Sequence, residues 1–280
     1  MACPASPDYF EVSPIEILDT CYQGTKNVLE YAVARGARVL VASTSEIYGE
    51  PQVDCQPETY WGNVNSFGPR SCYDEGKRSL EALAYGYRLA HNLDVRVARI
   101  FNAYGPFMAF DDGRAMPNFI TAAMENRPIT IYGDGSSTRC FQMAQDCVRG
   151  LNLLMESDHR GGPVNIGSDR ETPIGEIARE IAAIVAAKMG RSTPVPIHFV
   201  QARQDDPTQR RPDITLAGEV LGWRPAIALE DGVSMTVDWF INKWRSKRTN
   251  GVNAHHHTVV SDYNNSMHGM TNQSRQAIAA

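Results

Sequence analysis

No G-x-G-x-x-G loop occurs anywhere in the 280 residues. The chain therefore encodes no glycine-rich cradle that would seat a dinucleotide pyrophosphate on a helix N-terminus. Gly133-Asp134-Gly135 follows a strand-like run but lacks the third glycine. There is no C-x-x-C and no paired zinc-ligand spacing among Cys3, Cys21, Cys55, Cys72, Cys140 and Cys147. The six read as reduced thiols, not as a disulfide framework or a metal site. There is no excess of basic residues: the formal net charge is -5, which removes the electrostatic case for nucleic acid. No apolar run reaches the ~18–20 residues of a membrane helix. Residues 1–7 have neither the basic nor the long apolar region of a signal peptide.

What is present is ordinary for a globular α/β chain, with 42% hydrophobic and 21% charged residues. Residues 13–35 read as a helix, with Ser13 as N-cap candidate, Pro14 in the first turn and Gly36 as the stop. Ile15, Leu18, Tyr22, Val28, Leu29 and Val33 recur along it at roughly helical spacing. RVLVAS (38–43) and VRVARIF (95–101) are short β-branched runs that read as buried parallel strands. Between them lie a Pro-, Gly- and Asn-rich loop over 51–70 and a helix over 72–91. This order predicts an incomplete Rossmann-type, doubly wound parallel sheet over residues 1–106. Helices near 117–126, 145–156 and 173–189, a strand at 129–132 and a last helix ending near Trp244 suggest a smaller α/β substrate part over 107–246. Residues 247–280, which include His255-His256-His257, lack apolar periodicity and read as a disordered tail without a metal site.

The chemistry-bearing residues cluster early. Tyr73 and Lys77 are four apart, hence one turn apart on one helix face. Thr44-Ser45-Glu46 closes the first strand. A free tyrosine titrates at about 10, too high for a neutral-pH base, and a cation one turn away would lower it. Alone, Y-x-x-x-K is commonly two surface residues. The flanking S-T-S-E-x-Y-G and R-I-F-N-x-Y-G-P runs are what distinguish it here. Arg139 and Arg210, read alone, are as readily surface ion pairs as anion clamps.

With ACPASP (2–7), STSEIYGEP (43–51), PETYWGNVN (57–65), RSCYDEGKR (70–78), ARIFNAYGP (98–106), DDGR (111–114), YGDGSSTRCFQ (132–142), DDPTQRRPDI (205–214) and LGWRP (221–225), the chain resembles the extended short-chain dehydrogenase/reductases. Within them it resembles the UDP-glucuronate decarboxylases, over roughly residues 2–240. The resemblance implies NAD as cofactor and UDP-glucuronate as substrate. Tyr73 would be the acid/base and Lys77 its partner; Thr44 would bond the sugar C4 oxygen, and Ser45 and Glu46 would assist at the ring. Cys3, Thr20, Ala42 and Arg114 would touch the cofactor, with Tyr73 and Lys77. Asn27, Asn102, Arg139 and Arg210 would hold the nucleotide sugar. Sugar 4,6-dehydratases carry Asp where this chain has Ser45, which favours decarboxylation through a 4-keto uronic acid.

The same resemblance implies a homodimer through helices 13–35 and 72–91. It implies a cytoplasmic location, or a Golgi one where a membrane anchor precedes. Family members carry their glycine-rich loop before ACPASP, so an N-terminally truncated member that binds NAD poorly on its own is expected. Phe107 and Met143 depart from the family's usual Arg and aromatic residue. A 4-epimerase, a 4,6-dehydratase and a non-catalytic remnant pairing with intact subunits remain the other readings.

Overall fold

A computed structural model describes residues 3–249. Among the described residues, those to Trp239 form one compact unit and those from Phe240 belong to a second. The expected helix at 13–35 is helical throughout but in three parts: α1 (Pro14–Asp19), a π turn (Thr20–Gly24) and α2 (Thr25–Arg35). Gly36 ends it in the left-handed conformation at φ 60°, as its lack of a Cβ permits. Ser13 stands at the N-cap position, but its hydroxyl makes no cap bond. Next come β1 (Val39–Thr44), a 3-10 turn (Ser45–Tyr48), α3 (Ser71–His91) and β2 (Val95–Ile100). The second half comprises β3 (Ala103–Tyr104), α4 (Ala115–Met124), β4 (Ile129–Tyr132), β5 (Thr138–Cys140), β6 (Gln142–Met143), α5 (Ala144–Glu156), β7 (Pro163–Ile166), β8 (Glu171–Pro173), α6 (Ile174–Lys188), β9 (Ile197–Val200), α7 (Thr215–Leu221) and α8 (Leu229–Thr249). α8 runs past the predicted end near Trp244, so 247–249 are helical rather than tail. The rest of the expected tail, His255-His256-His257 included, lies outside the described residues.

The main sheet is parallel, in the order β1-β2-β7. Its register places Val41 beside Val97 and Ala98 beside Val164. Strand alternation sends successive side chains of β2 to opposite faces. Val95 and Val97 meet Leu29, Leu80 and Ala84 from α2 and α3. Ala98 faces Cys147, Leu154, Ala217 and Trp223 from α5, α7 and the turn that follows. The result is the three-layer sandwich expected of a doubly wound sheet. β7 was not anticipated; PVNI is four residues long and opens on proline. Val39 and Leu40 stay partly exposed where β1 forms one edge of the sheet. Smaller pairs, β3–β6, β4–β9 and antiparallel β5–β8, extend the second half, where α4 packs on α6.

Candidate active site

Ligands of open parallel sheets sit beyond the carboxyl ends of the strands, and the largest group of predicted residues lies there. Thr44 ends β1, Ser45 and Glu46 occupy the 3-10 turn after it, and Asn102 follows β2. The Thr44 hydroxyl accepts from the Glu46 backbone N–H at 3.3 Å, which fixes the turn. Gly49, at φ 60°, then lets the chain pass against Asn63 in a parallel bridge. α3 crosses above with Tyr73 and Lys77 facing the strand end. Lys77 Nζ donates to the Ala42 carbonyl at 2.8 Å and lies 5.7 Å from the centre of the Tyr73 ring. The Phe10 ring stacks on Tyr73 with ring centres 5.1 Å apart.

These residues line one cavity of about 460 Å³, together with Cys3, Ala42, Arg114, Arg139 and Arg210. Two predicted residues do not join them. Thr20 donates to the Glu16 carbonyl at 2.7 Å within its own helix. Asn27 accepts from Gln23 Nε2 at 2.7 Å on the exposed side of α2. Both were carried over from the resemblance, and the helix surface satisfies them locally.

Another part of the cavity lining is ionic. Glu46 is paired with Arg210, and with Arg70 at 2.8 Å. Asp206 joins Arg139 at 3.0 Å and Arg70 at 3.4 Å. Three buried arginines thus meet the carboxyl groups of Glu46, Asp206 and, at 3.8 Å from Arg70, Asp74. Arg210 Nε and Asn102 Nδ2 are buried donors without a hydrogen-bond partner among the described residues. Such groups are costly unless something accepts from them. Arg70 and Asp206 were missed although they stand in the RSCYDEGKR and DDPTQRRPDI runs, because sequence spacing alone does not show that they share a network with Glu46. Arg114, by contrast, is held by Asp112 through a two-pronged pair at 2.5 and 2.7 Å.

The electrostatics separate the groups. Burial opposes charge on Glu46, yet Arg210, Arg70 and Arg139 together hold its carboxyl well below the usual range. Arg139 is pushed down to about 10 by burial and then by Arg210, and so keeps its charge at neutral pH. Tyr73 departs from the sequence expectation. Burial pushes its phenol above the ordinary value, and the negative charges of Cys3 and Glu46 add to this; a hydrogen bond with Thr44 pulls the other way. Burial, not the lysine one turn away, dominates.

Phe107 is exposed at φ 73° with its ring 5.3 Å from Trp239. Met143 is buried in β6. Neither lines the cavity.

The family described as GDP-mannose 4,6 dehydratase matches residues 1–236. The chain belongs to this family. It is similar to UDP-glucuronic acid decarboxylase 4 of Arabidopsis thaliana, with 46% identity over 240 residues that cover 86% of this chain and 53% of that protein. The chain spans about half the length of the first curated relatives it matches. Among solved structures, UDP-glucose 4-epimerase of Thermotoga maritima with UDP-glucose superposes at TM-score 0.78 with 27% identity, covering 87% of this chain and 76% of that one. UDP-glucuronic acid 4-epimerase of Bacillus cereus, in complex with UDP-glucuronic acid and NAD, superposes at 0.70 with 27% identity, covering 80% and 68%. Membership in the GDP-mannose 4,6 dehydratase family accounts for the Rossmann-type sheet and for the strand-end position of the cavity.

Proposed function

We propose that this chain carries the acid–base and sugar-binding portion of an NAD-dependent UDP-glucuronate decarboxylase. One observation carries the reading: a Thr44/Tyr73/Lys77 set and a cluster of buried arginines, Arg70, Arg139 and Arg210, line one cavity. The residues fit the nicotinamide end of NAD, since Tyr73, Lys77, Ala42 and Cys3 converge there. No glycine-rich loop among the described residues matches the pyrophosphate. NAD, when bound, supplies a hydride acceptor that later returns the hydride.

The protein's own residues supply the rest. Tyr73 takes and returns the proton of the C4 hydroxyl. Thr44 hydrogen-bonds the phenol and is placed to hold that same oxygen. Lys77, anchored on Ala42, keeps a cation at the phenol's side. A ketone at C4 is β to the sugar carboxylate, so carbon dioxide leaves with its electron pair delocalised into the ketone. Arg139, Arg210 and Asn102 are the donors suited to an acidic sugar and its diphosphate. Glu46, kept anionic by its arginines, is suited to orient rather than to donate a proton. Ser45 gives no acid for expelling a C6 hydroxyl, which favours decarboxylation over dehydration.

The division of labour falls near residue 106: the proton-handling residues precede it, and Arg139 and Arg210 follow it. The exposed apolar face of α1 to α3 supports a homodimer, with Ile15 71%, Tyr31 63% and Leu89 76% exposed. All six cysteines are free, which supports a reducing compartment such as the cytoplasm. No described helix is long and apolar enough to cross a membrane.

Incubation with UDP-glucuronate and saturating NAD tests the reading. Carbon dioxide and a UDP-pentose are the expected products. A UDP-hexuronate epimer in their place would assign a 4-epimerase. Bound substrate and NAD with no turnover would overturn the proposal.

A further inference from the structure

Two thiols meet at the edge of the cavity. Cys3 lies in an irregular segment and lines the cavity wall. Cys21 lies in the π turn, buried against α3. A π turn inserts an extra residue and re-aims its side chains. Gly76 of α3 makes room for the result: a Cβ there would come within 3.1 Å of the Cys21 Cβ and 3.3 Å of its sulfur. Cys21 Sγ donates to Cys3 Sγ across 3.4 Å. Lys77 adds a cation beside Cys3, while Tyr73 faces it from the same helix. Hydrogen bonding from Cys21 and the charge of Lys77 lower the Cys3 thiol against burial, and the same contact raises Cys21. Thiolate character and access together select the cysteine that oxidises. Burial pushes the other core thiols up, Cys140 to about 12 and Cys147 to about 11.

We propose that Cys3 and Cys21 form a two-thiol oxidation site on the cavity wall, with Cys3 the peroxide-reactive sulfur and Cys21 its resolving partner. The Cys3 thiolate attacks one oxygen of a peroxide. The O–O bond breaks, Cys3 becomes a sulfenic acid, and the second oxygen leaves as water or an alcohol after taking a proton. Cys21 then gives up its proton and attacks the Cys3 sulfur. The S–O bond breaks, hydroxide leaves with that proton as water, and a disulfide remains. Two electrons pass from the thiol pair to the peroxide. The sulfurs must close from 3.4 Å to about 2 Å, a movement the irregular segment around Cys3 accommodates more readily than the helix turn. The disulfide would remove the anionic neighbour that opposes ionisation of Tyr73 and would leave Lys77 without it.

The site is read by thiol chemistry, independently of turnover. The reduced chain is treated with hydrogen peroxide, quenched with iodoacetamide and peptide-mapped without reduction. A Cys3–Cys21 linked peptide, lighter by two hydrogens and released by dithiothreitol, should accumulate in about tenfold excess over any other pair. In Cys21→Ala, dimedone should label Cys3 instead. Alkylatable Cys3 and Cys21 after peroxide, or dominant links through Cys72 or Cys55, would overturn the assignment. Wild-type mapping decides the matter even if the variant does not fold.

Discussion

Tyr73 and Asp74 are neighbours in sequence with opposite surroundings. Tyr73 faces the cavity, so Tyr73→Phe should lower turnover about 10²–10⁴-fold while leaving UDP-sugar affinity near normal; steady-state rates beside calorimetric binding would check this. Asp74 is buried, with Oδ1 unbonded and Oδ2 3.8 Å from Arg70 Nε. Burial, and then the charge of Glu46, raise its carboxyl despite Arg70. A raised acid favours the folded state while it holds its proton. Its contribution is therefore present below its unfolded value of 3.8 and is lost as pH rises through the raised one. Asp74→Asn should then gain stability on wild type as pH climbs from 5 to 9, by at least about 1 kcal/mol, or ~2–4 °C in Tm. Melting curves with no pH-dependent difference would contradict this. The meeting of Thr44, Tyr73 and Lys77 at one cavity was legible from a strand end, a one-turn helix spacing and the flanking motif runs together. Arg70 and Asp206 were not, because their pairing spans more than a hundred residues of sequence.

At the level of elements, regular periodicity was readable and irregularity was not. α3 and α5 fall within a residue or so of expectation because their apolar positions recur every turn. The π turn inside 13–35 left no mark on the pattern. Ile15, Leu18 and Tyr22, which recur at roughly helical spacing, are exposed, while Ile17 and Cys21 are buried. β7 was hidden by its proline and asparagine; Asn165 is buried and bonded to Tyr48, Gln56 and Asp213. The loop over 51–70 is locked by glycine: a Cβ at Gly49 would lie 2.1 Å from the Asn63 carbonyl oxygen, at a left-handed φ. Gly49→Ala should cost about 1–3 kcal/mol from the strained backbone alone and loosen Glu46, which a thermal melt and a raised KM would reveal. Trp223, buried against Gly150 and donating to the Asp146 carbonyl at 3.0 Å, ties the sheet's second face together. Trp223→Ala should cost about 3–5 kcal/mol, measured by denaturant unfolding.

For the whole molecule, the apolar face of α1 to α3 is the feature that composition could not rank, since it reads as core and stands outside. A groove of about 380 Å³ between Tyr22, Leu83 and Tyr87 continues it. If a second copy covers this face, Ile15→Glu with Leu89→Glu should convert a dimer to a monomer in sedimentation equilibrium, without unfolding the chain. A wild-type monomer at micromolar concentration would argue against that pairing.

The half-covered strand β1 has a consequence for handling the protein. Its outer row of amides and carbonyls has no ladder partner among the described residues, and Val39 and Leu40 flank it. Such a row is a template for another chain. Concentrated solutions should scatter light increasingly with time. A synthetic peptide of alternating valine and threonine, able to lie alongside in parallel, should suppress that clouding by occupying the vacant berth.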